Sequence, residues 1–286
     1  MHGPTHRFGA ACALALNAIV CAANTSGASL KQETVNAWDE YVHAAGVQLQ
    51  HRLDADDAFL WTDQTPDRAR RVLRKEIVVA PASPDIPVPV PSGLVHDWIG
   101  AAFIPNVSIQ DVLLIVRDYE RYSEFYSPNV VDSRAIASGE AIDRFSMVLR
   151  NKSVFSRIVL ENEYQTTYVR IDDQRLYSLS HTTRVREIAD YGTSGQHTLP
   201  QDEGTGLIWR AYSVTRMKER DGGVHIEMEV MVLSRDIPSA IRWFVGPLVR
   251  RASREYLTTT IRQTRDAVQS SLAARRTGQV SSQSGN

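Results

Sequence analysis

The chain has 286 residues, 43% of them hydrophobic, which suits one large soluble domain or two small ones. Lys and Arg number 32 against 33 Asp and Glu, a formal net charge of −1, so the basic excess of a nucleic-acid-binding surface is excluded. The local basic runs, Arg68 to Lys75 and Arg250-Arg251 with Arg254, read as solvated helix faces.

At the start, His6 and Arg7 precede an apolar stretch from Phe8 to Cys21, followed by the small residues Ala22, Ala23, Ser26, Gly27 and Ala28. This is the order of a signal peptide, expected over residues 1–28, and it implies a secreted or periplasmic protein. The stretch is shorter than the roughly 20 apolar residues that span a bilayer. Val20 before Cys21 argues against a lipidated cysteine. Both cysteines, Cys12 and Cys21, fall inside the segment, so the exported chain has no thiol for a disulfide, a thiolate nucleophile or a cysteine metal site.

Residues 29–93 read as an extension of the domain behind them. Val35, Trp38, Val42, Ala45 and Leu49 recur at helical spacing and predict a helix from about Gln32 to Leu53 with one apolar stripe. A short helix around Asp67 to Lys75 leads to the strand-like Ile77-Val78-Val79, and Pro81, Pro84, Pro87, Pro89 and Pro91 then force an extended connector. A separate domain of this size has too small a core, so docking on the main domain is expected.

The main domain, residues 94–272, is written as strand, helix, a series of strands and one long helix. A strand runs from Leu94 to Ile104; Ser108 then starts a helix with Asp111 three residues on, the spacing of a capping pair. From Val130 to Leu233 apolar and polar residues alternate between turn signals, and Pro238 opens an amphipathic helix to about Val268 that Pro247 is expected to kink. Residues 273–286 are polar and expected to be disordered. The fold class is α+β: a curved antiparallel sheet gripping a C-terminal helix.

Three expected hairpins set an inner face. A turn at Gly222-Gly223 places Arg216 opposite Glu229 and Lys218 opposite Glu227, with Trp209, Ala211, Ser213, Thr215 and Met217 facing in beside Ile226, Met228, Val230 and Val232. A two-residue turn at Asp172-Asp173 pairs Tyr164 with His181 and Asn162 with Thr183, and a turn at Asn151-Lys152 sets Phe145 and Met147 with Ile158 and Leu160. A one-residue slip in any turn reverses that strand's faces.

The face so defined is apolar at its ends and polar in its middle. Each unpartnered polar group in a dry core costs about 1–3 kcal/mol, so Asn162, Tyr164, Thr166, His181, Thr183, Ser213 and Thr215 must bond one another, hold a few waters, or face a ligand. The expected ligand site has walls from Phe145, Met147, Leu160, Met228, Val230 and Trp243, joined by Leu248 and Leu257, and polar groups from Asn162, Tyr164, His181, Thr183 and Ser213. Trp243 and Leu248 equally suit plain core at helical spacing. The polar segment from Ala189 to Thr205 reads as a mobile loop gating the site.

The run Asp118-Tyr119-Glu120-Arg121-Tyr122-Ser123-Glu124-Phe125-Tyr126-Ser127-Pro128-Asn129-Val130-Val131, with Arg235-Asp236-Ile237-Pro238 opening the last helix, resembles the START and SRPBCC superfamily over about Leu94 to Val268. The resemblance implies a helix-grip fold that binds lipids, sterols, polyketides or other hydrophobic molecules, some members being cyclases or other enzymes; it defines fold better than function. The expected partner is a hydrophobic small molecule or lipid, transient membrane contact is compatible with it, and no cofactor or metal is expected. Two other classes remain open: a polyketide cyclase or dehydratase using His181 and Tyr164, and a cell-envelope structural protein with a filled core. No phosphate loop, His-Glu-x-x-His spacing or Gly-x-Ser-x-Gly elbow is present in the sequence.

Overall fold

The computed structural model describes residues 27–54, 59–153 and 156–283. Most of the expected signal peptide, residues 1–26, lies outside them. Strand β1 (Ala28–Ser29), helix α1 (Gln32–Asp54), a 3-10 turn (Trp61–Gln64), α2 (Pro66–Leu73), β2 (Val78–Pro81) and β3 (Val88–Val90) make the N-terminal extension. The main domain follows with β4 (Gly93–Pro105), α3 (Ile109–Val116), a 3-10 turn (Tyr119–Arg121), α4 (Tyr122–Phe125), β5 (Val130–Ser138), β6 (Ile142–Ser153), β7 (Ser156–Arg170) and β8 (Arg175–Ala189). The short β9 (His197–Thr198) and β10 (Glu203–Gly204) lead to β11 (Arg210–Arg220), β12 (Gly223–Arg235) and α5 (Ser239–Gln283).

The large sheet is ordered β2-β4-β12-β11-β8-β7-β6-β5, with β3 also on β4 and β9 on β8, and all its pairings are antiparallel. Helix α5 lies over one face. Its Leu257, Ile261 and Val268 share a core with Trp98, Ala102 and Ile104 of β4, Ile226 of β12, Met217 of β11, and Val112 and Ile115 of α3. Gly100 of β4 permits this approach: a Cβ there would stand 2.5 Å from Ile261 Cδ1 and 3.2 Å from Leu257 Cδ2. Helix α3 begins with a complete capping box, in which Ser108 Oγ accepts from Asp111 N at 3.2 Å and Asp111 Oδ2 accepts from Ser108 N at 2.9 Å. Sheet and long C-terminal helix together form a helix-grip α+β fold.

Register follows from loop lengths, and here the structure corrects two of the expected turns and relocates the third. The β11–β12 turn is Asp221-Gly222, with φ of 56° and 73°, the pair of positive values that a type I′ turn needs. It pairs Arg216 with Glu227 and Lys218 with His225, two residues from the expected alignment, so each strand keeps its faces. The β6–β7 pairing of Phe145 with Tyr164, Met147 with Asn162 and Leu149 with Leu160 also differs from expectation by an even number. Asn151 and Lys152 lie within β6, and the connection falls beyond Ser153, outside the described residues.

The β7–β8 turn has an odd difference. Its loop is three residues, 172–174, because Gln174 N–H donates to Asp172 Oδ1 at 2.9 Å, and Ile171 N–H donates to Arg175 O at 2.9 Å to close it. Tyr164 therefore faces Thr182 while Gln165 faces His181, and β8 presents Leu176, Ser178, Ser180 and Thr182 toward α5. A bulge at Glu163/Tyr164 then brings Asn162 opposite Val185.

The extension docks on the other, convex face. Trp38 of α1 is buried with Val95, Trp209, Met231 and Leu233, and Tyr41, Val42 and Ala45 pack around them. Trp209 was expected to face inward, but it precedes β11 and is free to turn into this outer cluster. Residues 190–205 are tied down as well: β9 pairs with β8, β10 pairs with β1, and Leu30 N–H donates to Asp202 O at 2.9 Å. Helix α5 continues through Pro247 to Gln283, past the expected end near Val268 and through most of the segment expected to be disordered. Arg275 there donates to Asp111 Oδ1 at 2.8 Å, fastening α5 to α3.

Candidate ligand site on the concave face

Strands β6, β7, β8, β11 and β12 bring Met147, Tyr164, Ser180, Ser213, Met228 and Val230 onto the concave face, and all six are only half-buried. Their neighbours toward α3, Met217, Ile226 and Leu176, are buried. The middle of the face thus keeps accessible surface where an ordinary core would have none. From α5, Tyr256 remains 47% exposed, yet surrounding protein pushes its hydroxyl pKa up. Burial also raises the pKa of Tyr164, and the Tyr256 hydroxyl adds to that shift.

One end of the face is closed by aromatic stacking. The Phe145 ring lies 4.1 Å from that of Tyr119 and 5.1 Å from that of Tyr164, with interplanar angles of 12° and 10°. Tyr119 donates to the fully buried Asp143 at 2.8 Å, and Arg117 pairs with the same carboxylate at 2.8 Å. Phe145 is therefore held in a packed cluster, and Leu160, farther along β7 opposite Leu149, is 5% exposed.

Asn162 is wholly buried; its Nδ2 donates to Tyr164 Oη at 3.0 Å, and its Oδ1 has no hydrogen-bond partner among the described residues. Trp98 Nε1, opposite Val230 on the same face, is likewise unmatched. Such groups cost about 1–3 kcal/mol each unless water or a ligand meets them. Thr166 Oγ1 donates to Ser180 Oγ at 2.8 Å, so that pair satisfies itself. His96, on the concave side of β4, contacts Ser234 Oγ at 3.0 Å, and burial pushes its pKa down to about 4, which keeps the ring neutral.

Besides Leu248 and Leu257 of α5, eleven residues are expected at the site, and eight lie on the concave strands: Phe145, Met147, Leu160, Asn162, Tyr164, Ser213, Met228 and Val230. Three do not. His181 is on the convex face opposite Tyr212, Thr183 is the exposed extra residue of the bulge, and Trp243 is 78% exposed with its ring edge-on to Phe244. The first two moved because the hairpin loop is one residue longer than expected; Trp243 did because the first turns of α5 stand away from the sheet. The acid–base pair of His181 with Tyr164 is accordingly split between faces. Ser180, Tyr256, His96 and Trp98 are the additions, and the Asp172 turn chemistry was the signal that could have found Ser180.

The Arg216–Glu229 charge pair expected on the convex face is present, as part of a buried ionic network that the sequence reading did not foresee. Arg216, 1% exposed, sits 2.9 Å from Glu229 and 3.5 Å from Glu227. Glu227 accepts Trp61 N at 2.7 Å, Thr62 N at 2.8 Å and Thr62 Oγ1 at 2.9 Å, holding the extension to the sheet. Asp97 accepts from Tyr41 Oη at 2.9 Å while its Oδ1 is unmatched, and burial, helped by Glu229, pushes its pKa up to about 7. Among the described residues no group of three His, Cys, Asp or Glu side chains could hold a metal ion, and no helix is long and apolar enough to cross a membrane.

No family model matches the sequence, and no curated protein matches it. Solved structures similar to the chain include a STAR-related lipid transfer protein from Xanthomonas axonopodis, 16% identical, with a TM-score of 0.44 over 68% of this chain and 98% of that one. Human STARD10 is 9% identical, with a TM-score of 0.44 over 78% of this chain and 85% of that one. A di-domain ARO/CYC protein of the steffimycin biosynthetic pathway is 12% identical, with a TM-score of 0.39 over 63% of this chain and 52% of that one. These are START-domain and SRPBCC-type proteins. The helix-grip assignment itself rests on the strand order and on α5.

Proposed function

We propose that the protein binds a hydrophobic small molecule or lipid between the concave face and α5. The observation that carries this reading is the half-buried strip from Met147 to Val230, beside a core that is otherwise closed. Met228 and Val230 supply apolar wall, while Ser213, Tyr164 and the unmatched Asn162 Oδ1 supply a few orienting polar groups, the usual composition of a small-molecule site. Native mass spectrometry of the protein from its own host should reveal a co-purified apolar ligand. Ser213→Trp should then abolish its retention without lowering the unfolding midpoint; a loss of stability with no ligand in either protein would instead indicate a filled core.

The protein acts, in this reading, after export. The charged start, short apolar core and small residues through Ala28 support it. N-terminal sequencing of the mature protein should place cleavage between about Ala22 and Ala28, and recovery of intact Met1 from the cytoplasm would refute it.

A further inference from the structure

The positions 243, 247, 250, 254, 257, 261, 264 and 268 form one stripe of α5, at alternating spacings of four and three. Its second half is buried: Leu257 3%, Ile261 1%, Thr264 1% and Val268 0% exposed. Its first half is exposed and carries Trp243, Arg250 and Arg254. An apolar stripe that turns cationic along its length marks the place where the helix leaves its own core.

At that transition lies a groove of about 610 Å³ between α5 and the edge strand β2. Its floor is Ile77 and Val79, both packed on the main core, and a Cβ on Gly100 would meet Val79 beside Leu257 and Ile261. Its rim carries Arg251, Arg254 and Arg262. The single acid of the groove, Glu255, is used by Arg251 at 2.8 Å. The Arg254 and Arg262 guanidiniums make no ion pair or hydrogen bond among the described residues. Thr259 adds a hydroxyl between them.

We infer that this groove holds the anionic head of an amphiphile, a carboxylate or phosphate carried on an apolar body, with Arg254 and Arg262 as its counter-charges. The inference goes beyond the ligand-binding reading: the groove lies on the β2 side of α5, separated from the concave strip where Leu257 and Ile261 seat on Gly100. Guanidinium groups pair with such heads through two parallel N–H donors, and the Ile77/Val79 floor accepts the adjoining carbon chain. Among the described residues the groove's one acid, Glu255, is taken by Arg251, which leaves Arg254 and Arg262 for a ligand.

The test compares a fluorescent polyene fatty acid with its methyl ester on the full chain, at low and high salt. The wild type should bind the acid about tenfold or more tighter than the ester at low salt, and the preference should shrink at high salt. Arg254→Gln/Arg262→Gln should bring the acid down to the ester while leaving ester affinity and the unfolding midpoint unchanged. Equal binding of acid and ester by the wild type overturns the charged site and leaves the apolar-ligand reading standing; binding of neither overturns both. Two further arms separate the sources of charge. Inorganic phosphate binding that the double variant loses, with no acid preference, assigns the groove to a free anion. Loss of binding to phosphatidylglycerol vesicles, again with no acid preference, assigns the arginines to a membrane surface. Either result overturns the amphiphile.

Discussion

The Tyr41 hydroxyl donates a 2.9 Å hydrogen bond to Asp97 Oδ2, joining helix α1 of the extension to strand β4 across the convex face. Asp97 is 4% exposed and stands near Glu229, so its ionised form is disfavoured twice, by lost water and by a like charge. The contact is a titratable joint between the extension and the domain.

That joint predicts a pH dependence with a definite sign. The folded pKa of Asp97 is raised from 3.8 to about 7. The folded state therefore holds this proton more tightly than the unfolded chain, and the contribution to stability is fully present below about pH 4 and is lost as pH rises through about 7. Urea unfolding of the wild type and Asp97→Asn should show the wild type gaining relative to the variant between pH 8 and pH 5, by on the order of a few kcal/mol. Parallel pH profiles for the two proteins would contradict it.

Glu227 should hold the extension in place. Glu227→Ala removes three hydrogen bonds to Trp61 and Thr62 and leaves Arg216 with Glu229 alone. Breaking a buried pair in this way costs about 3–5 kcal/mol. Limited proteolysis should cut the variant near Trp61 well before the wild type, while the fragment from β4 onward persists.

Gly100→Val should loosen the grip of α5. The added carbons would enter space held by Ile261, 1% exposed, and Leu257, 3% exposed. Overpacking of this kind costs about 1–3 kcal/mol, read as a lower thermal midpoint with the secondary structure intact.

Apolar-ligand binding should ignore the convex histidine. His181→Ala changes a side chain on the opposite face from Tyr164 and Ser213, so ligand affinity should stay within about twofold of wild type, whereas Ser213→Trp should reduce it by more than tenfold. Equal losses in both variants would place the ligand on the wrong face of the sheet.

Much of the architecture was written locally. The Ser108/Asp111 cap, the Trp38 stripe of α1, the alternation from Val130 to Leu233 and the amphipathic helix after Pro238 each follow from neighbours a few residues apart, and each gave an element of the correct type. The β11 and β12 faces were legible too, because their turn was misplaced by an even number of residues and side-chain alternation has a period of two. The faces of β8 were not. One extra loop residue at Gln174 carried His181 and Thr183 away from the site and brought in Ser180.

By itself the sequence determined the order of strands and helices and the near-neutral charge, since local spacing, turn chemistry and composition are properties of the chain alone. Only the tertiary structure decided which polar groups became buried partners. Arg216 with Glu227 and Glu229, Tyr41 with Asp97 and the unmatched Asn162 Oδ1 are brought to their places by strand register and helix docking, and those depend on packing between residues as far apart as Thr62 and Glu227. The same holds for α5: its stripe is continuous in sequence, but where it meets the sheet and where it departs is set by the reach of the strands beneath it.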